Sequence, residues 1–111
     1  MTGIFDDPRN AQADDLAFRA ERAERSGDQQ EARRLYGEAA TLETDLAAAV
    51  PAHERRTRSL YALAAAVLSR RADDRDRAAV VASRFLADET HLTTEAVSQL
   101  REILRWASPA R

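Results

Sequence analysis

Few residues in this chain have the chemistry of a catalyst. The two histidines, His53 and His91, lie far apart, each near an expected helix start, where a surface or capping position accounts for them better than metal ligation. The run Asp73-Asp74-Arg75-Asp76 is dense in carboxylates, but it lacks the glycine and the terminal glutamate of a calcium loop and suits a helix cap. Cysteine is absent, which removes thiol nucleophiles and disulfides together. Gly3, Gly27 and Gly37 are too scattered to cradle a phosphate. An enzyme needs a nucleophile, an acid-base pair or a metal held in defined geometry, and no spacing here supplies one. The sequence therefore reads as a non-enzyme, with no catalytic, cofactor-binding or metal residue to name.

The elements around these residues are helical from end to end. Ala13, Leu16, Ala17, Ala20 and Ala23 recur at spacings of three and four, as do Ala32, Leu35, Tyr36, Ala39, Leu42 and Leu46. Between the two stripes stands Ser26-Gly27-Asp28. Gly27 is suited to the left-handed conformation that ends a helix, and Asp28 with Glu31 forms a capping-box-like start for the next. The spacing predicts an αα-hairpin, with the second helix running on to Pro51 and Thr41, Glu43 and Asp45 on its far side. Gly37 inside that helix costs about 1 kcal/mol relative to alanine and is read as a point of close helix packing.

A third helix is expected over residues 53–72, with the cleanest stripe of the chain in Leu60, Leu63, Ala64, Val67 and Leu68. A fourth, after Asp73 and Asp74, carries Ala78, Val81, Ala82 and Phe85. A fifth is capped by the threonines at 93 and 94 and buries Leu92, Ala96, Leu100, Ile103 and Ala107, with Trp106 at the margin as a packing residue or an interface anchor. Residues 1–7 form a short arm ending in Asp7 as N-cap and Pro8 in the first helical position. Its Ile4 and Phe5 are expected to fold back onto the first helices, with a short docking segment for another protein as the alternative.

The first hairpin resembles a tetratricopeptide repeat. Leu16, Ala20 and Ala23 stand in the large, small and aromatic slots of the first helix, and Ala32, Tyr36 and Ala39 match the second helix's small-aromatic-small spacing. Arg19 and Thr44 stand where the family carries leucine and proline. Leu60, Leu63, Ala64 and Val67, followed by Ala78 and Ala82, repeat the pattern more loosely, 44 residues on from Ala20 to Ala64 instead of about 34. The resemblance implies an all-α fold: a right-handed stack of two divergent antiparallel hairpins, 8–50 and 52–89, closed by a capping helix over 93–107, all within one domain spanning 8–108. It also implies a concave side lined by the first helix of each repeat. That places Asp14, Ala17, Glu21 and Glu24 at an acidic end and Arg58, Tyr61, Ala65 and Leu68 at a basic, aromatic end, with Trp106 on the capping helix. The implied function is a protein-protein interaction module, an adaptor or assembly factor that binds a peptide or helix of another protein.

Composition narrows the partners. The formal charge is -2 and all seventeen basic residues are arginine, a bias that hints at a GC-rich bacterial coding sequence. Arg33, Arg34, Arg55, Arg56, Arg58, Arg70 and Arg71 are spread over several helices without a global basic field, so nucleic acid is the least supported partner. Asp15 with Arg19, Glu21 with Arg25 and Glu54 with Arg58 are spaced for solvated pairs along single helices. No apolar run approaches the roughly 20 residues of a membrane span, and no signal-peptide pattern opens the chain, so a cytoplasmic protein without membrane association is expected. A homodimer built on the third-helix stripe and the fifth helix is the alternative to a foreign partner.

Overall fold

The computed structural model describes residues 3–108, so the first two residues of the expected arm lie outside the described residues. Within that range the chain is all-α: α1 (Pro8–Arg25), α2 (Gln29–Ala49), α3 (Arg55–Arg71), α4 (Arg75–Leu86) and α5 (Thr94–Ala107), with single 3-10 turns at Ile4–Asp6 and Glu89–His91. Side-chain caps mark four of the five α-helix starts, all but that of α3. Asp7, Asp28, Asp74 and Thr93 accept the backbone N–H of Arg9, Glu31, Arg77 and Ala96 respectively. Pro8 follows its cap at a position where a missing N–H costs nothing.

The two hairpin turns use the same device with different residues. After α1, Asp28 N–H donates to the Ala23 carbonyl (2.9 Å) and Gly27 N–H to Glu24 (3.0 Å), a Schellman pair that needs the positive φ of +83° at Gly27. After α3, Asp74 N–H donates to Ser69 (3.1 Å) and Asp73 N–H to Arg70 (2.9 Å), and here Asp73 takes the positive φ of 55°. A side chain in that conformation is strained, and aspartate is one of the few residues that visit it. Asp73→Gly is expected to stabilise the protein by about 0.5–1 kcal/mol, with only a few tenths lost from the exposed Asp73–Arg33 ion pair at 3.7 Å. Thermal unfolding of the variant checks this; an unchanged or lowered midpoint would show that Asp73 is not the strained point of the turn.

Consecutive helices are antiparallel neighbours, and side chains tie together helices two apart. Tyr61 O–H donates to Asn10 (2.7 Å) near the start of α1 and α3, and Arg71 reaches Glu24 (3.4 Å) and Glu21 (3.9 Å) near their ends, so these helices run parallel. Arg77 does the same between α4 and α2, donating to the Gly37 carbonyl and to Thr41 Oγ1 (2.7 Å). The Cα extents of 46 × 41 × 17 Å are those of a slab two helices thick, with α1, α3 and α5 alternating with α2 and α4. The larger core cluster joins the last turns of α2 to α3, α4 and α5 through Leu46, Tyr61, Phe85, Leu92 and Leu100. A smaller one, centred on Tyr36, joins α1, α2 and the end of α3.

Three expectations are corrected. Gly37 is not a close-packing point, since a Cβ there would meet the Arg77 guanidinium at an ordinary 3.7 Å. Glu43 is not on a solvated face but 8 % exposed, because α2 packs against both α1 and α3 and so buries a wider stripe than one neighbour requires. The third correction concerns α3. Its expected core stripe faces outward, with Leu60 57 % and Val67 40 % exposed and Leu63, Ala64 and Leu68 half-buried. Ser59, Tyr61, Ala62, Ala65, Ala66 and Ser69 are buried instead. Residues 60–68 include no charged side chain, so periodicity cannot choose a face, and the small side chains let α2, α4 and α5 approach closely. The buried serines are satisfied: Ser69 O–H donates to the Ala65 carbonyl (2.8 Å), and Ser59 Oγ accepts the Thr93 N–H (2.8 Å).

Candidate functional site

The rotation of α3 redraws the surface expected to carry binding. Tyr61 and Ala65 lie in the core. Phe5 of the arm tilts against the Tyr61 ring at 6.1 Å between centroids, and Ile4 packs at the edge of the larger core. Arg58 turns inward, where its guanidinium donates to the last carbonyls of α2, Ala47 (3.2 Å) and Val50 (3.3 Å), approaches Asp88 (3.8 Å) and lies over the Phe85 ring. It neutralises the negative end of α2 and ties that end to α4, a structural task. Trp106 is half-buried, with Arg70 and Arg75 over its ring at 5.4 and 4.3 Å, and Arg75 also donates to its carbonyl.

The α1 residues remain on the surface, on one stripe. Asn10, Asp14, Ala17, Glu21 and Glu24 follow helical spacing, and the stripe is fastened to α3 at both ends, by Asn10–Tyr61 and by Glu21 and Glu24 to Arg71. Glu24 also accepts the Tyr36 O–H (2.7 Å), and Arg71 lies over the Tyr36 ring at 4.6 Å. Burial and this carboxylate push the Tyr36 phenol up to about 12. Of the pairs expected within single helices, Asp15–Arg19 is present at 3.5 Å, whereas Glu21 and Arg58 spend their charge between helices.

Between these fastenings lies the ridge of α3. Leu60, Ala64 and Val67 point away from the core, with α1 on one flank and α5 on the other. On the α5 flank a shallow groove of about 240 Å³ is lined by Leu60, Leu63, Ala96, Gln99, Glu95 and Arg56, among others. On the α1 flank lie two buried residues of α2: Tyr36, which touches Glu24 of α1 and Arg71 of α3, and Glu43, which feels the charge of Asp14 on α1. The Glu43 carboxyl has no hydrogen-bond or ion-pair partner among the described residues, and its oxygens keep a narrow opening to solvent. Burial first, then the Asp14 charge, pushes it up to about 7. Sequence reasoning missed this residue, although the signal was there: Glu43 follows Ala39 by four residues and precedes Leu46 by three, on the buried stripe itself.

His53 is exposed, and His91 Nδ1 lies 2.8 Å from Asp88 Oδ2. Among the described residues no three histidine or carboxylate side chains converge on a common point that would hold a metal ion, and no helix is long and apolar enough to cross a membrane. No protein-family model, no curated protein and no solved structure matches the chain.

Proposed function

We propose that this protein is a small cytoplasmic interaction module, resembling tetratricopeptide-repeat proteins, an adaptor or assembly factor that holds a helix or peptide of another protein across its α1–α3–α5 face. The observation that carries this reading is the outward ridge of Leu60, Ala64 and Val67. An amphipathic helix normally turns its large apolar residues inward, yet apart from Tyr61 the fully buried residues of α3 are alanines and serines, while Leu60 and Val67 are left to solvent. Repeated apolar side chains at helical spacing, with shallow flanks, suit recognition of a partner segment through its own apolar stripe. Self-association through the same ridge is the second reading, favoured by the same exposure.

The test is a double substitution, Leu60→Asp with Val67→Asp. Both side chains already face solvent, so thermal stability is expected to change by no more than about 1 kcal/mol. Affinity capture should lose any partner that the wild type retains. Light scattering over a range of concentrations separates the two readings, because self-association requires a mass that rises with concentration and falls back to the monomer in the variant. A partner retained equally by both proteins would overturn the ridge as the binding surface.

A further inference from the structure

Among the described residues, Glu43 is the one buried charged side chain, and it makes no bond that ties the fold together. It sits on α2 among alanines, nine-tenths buried, without a partner among the described residues. A carboxyl in that position destabilises the fold relative to a well-packed apolar or amide side chain, and such costs concentrate where a protein binds something. The groups facing it make its isolation sharper. From α1 comes Asp14, a second carboxylate, and from α3 comes the Tyr61 phenol, already donating to Asn10.

Three arginines of the flanking helices α1 and α3 are occupied elsewhere. Arg9 is bound to Asp7 (2.7 Å), Arg58 to the α2 carbonyls, and Arg71 to Glu21 and Glu24. The buried Glu43 carboxyl therefore has no countercharge from any described side chain, and the negative charge of Asp14 on α1 adds to its cost.

We propose that the Glu43 and Asp14 carboxyl groups receive a cationic side chain, arginine or lysine, from a partner helix that lies along Leu60, Ala64 and Val67. This rests on the ridge being the binding surface, and it adds the chemistry of the occupant: an amphipathic helix with one basic residue placed to reach Glu43 beside its apolar stripe. The planar guanidinium, with parallel N–H donors, can bridge two carboxylates, and the partly desolvated setting strengthens each bond. Seating the cation favours the ionised form of Glu43, so affinity should fall as pH drops below about 7.

A displayed library of amphipathic helices with randomised polar positions tests this directly. Selection on the intact protein at pH 8 is expected to enrich one basic position, and the enrichment should vanish on Glu43→Gln. A selected peptide should bind wild type about tenfold or more tighter than its citrulline analogue, with little difference between the two on Glu43→Gln. Binders that share only an apolar stripe and ignore the Glu43 substitution would overturn the cation site while leaving the ridge in place. Absence of any binder, or binders unaffected by Leu60→Asp with Val67→Asp, would overturn both. A concentration-dependent dimer that covers the ridge would replace the foreign helix with a second copy of this chain.

Discussion

Phe85→Ala is expected to lower the stability of this protein by about 3–5 kcal/mol. Phe85 is 1 % exposed on α4 and belongs to the cluster that joins α2, α3, α4 and α5, so its removal opens a cavity at the meeting point of four helices. The loss extends beyond the transfer free energy of the ring. The Arg58 and Arg84 guanidinium groups each lie 5.4 Å from the ring centroid, and both lose a cation–π contact. Arg58 also binds the end of α2, so the cavity loosens the joint between the hairpins. For a domain of this size the total stability is of the order of 5–15 kcal/mol, so the variant should unfold at a much lower urea concentration with a similar slope. A midpoint shift equivalent to less than about 1 kcal/mol would show that α4 does not pack through this ring.

Glu43→Gln is expected to act in the opposite direction and only above acidic pH. The carboxyl of Glu43 is pushed from 4.5 to about 7 in the folded protein, by burial first and by Asp14 second. Between those two values the native state binds more protons than the unfolded chain, so this group makes stability fall as pH rises. Below about pH 4.5 both states are protonated and the penalty is absent, and above about pH 7 it is complete. The neutral amide removes it, stabilising the protein at pH 8 by on the order of 2 kcal/mol. At pH 4 the two proteins should differ little. Urea unfolding of both at several pH values provides the check, and a variant less stable than wild type at pH 8 would mean that the ionised carboxylate is held by something favourable. A substitution that stabilises the fold while weakening a basic partner separates the structural cost of this residue from its use.

The residues that end and begin helices are legible in the sequence alone. Asp7 with Pro8, Gly27 with Asp28, Asp74 and Thr93 act through bonds to backbone atoms two or three residues away, and such short-range effects are written directly into the chain. The buried face of α5 is equally legible, since Leu92, Ala96, Leu100, Ile103 and Ala107 have Ser98, Arg101, Glu102 and Arg105 on the far side of the helix. The candidate surface is only half legible. Of the residues that the tetratricopeptide resemblance implied, Asp14, Ala17, Glu21 and Glu24 do lie along one surface stripe of α1, whereas Arg58 and Tyr61 turn inward from α3.

By itself, the sequence determined an all-α chain of five helices, their limits and the pairing of neighbours into hairpins, because helical periodicity, caps and short turns are local properties. Only the tertiary structure decided the rotation of α3, the burial of Glu43 and the ties of Asn10 to Tyr61 and of Glu24 to Arg71. Those depend on how many neighbours a helix has and how closely they approach. A stretch such as 60–68, apolar on every side, offers several faces of similar hydrophobicity, and the competition is settled by which of them fits against α2, α4 and α5.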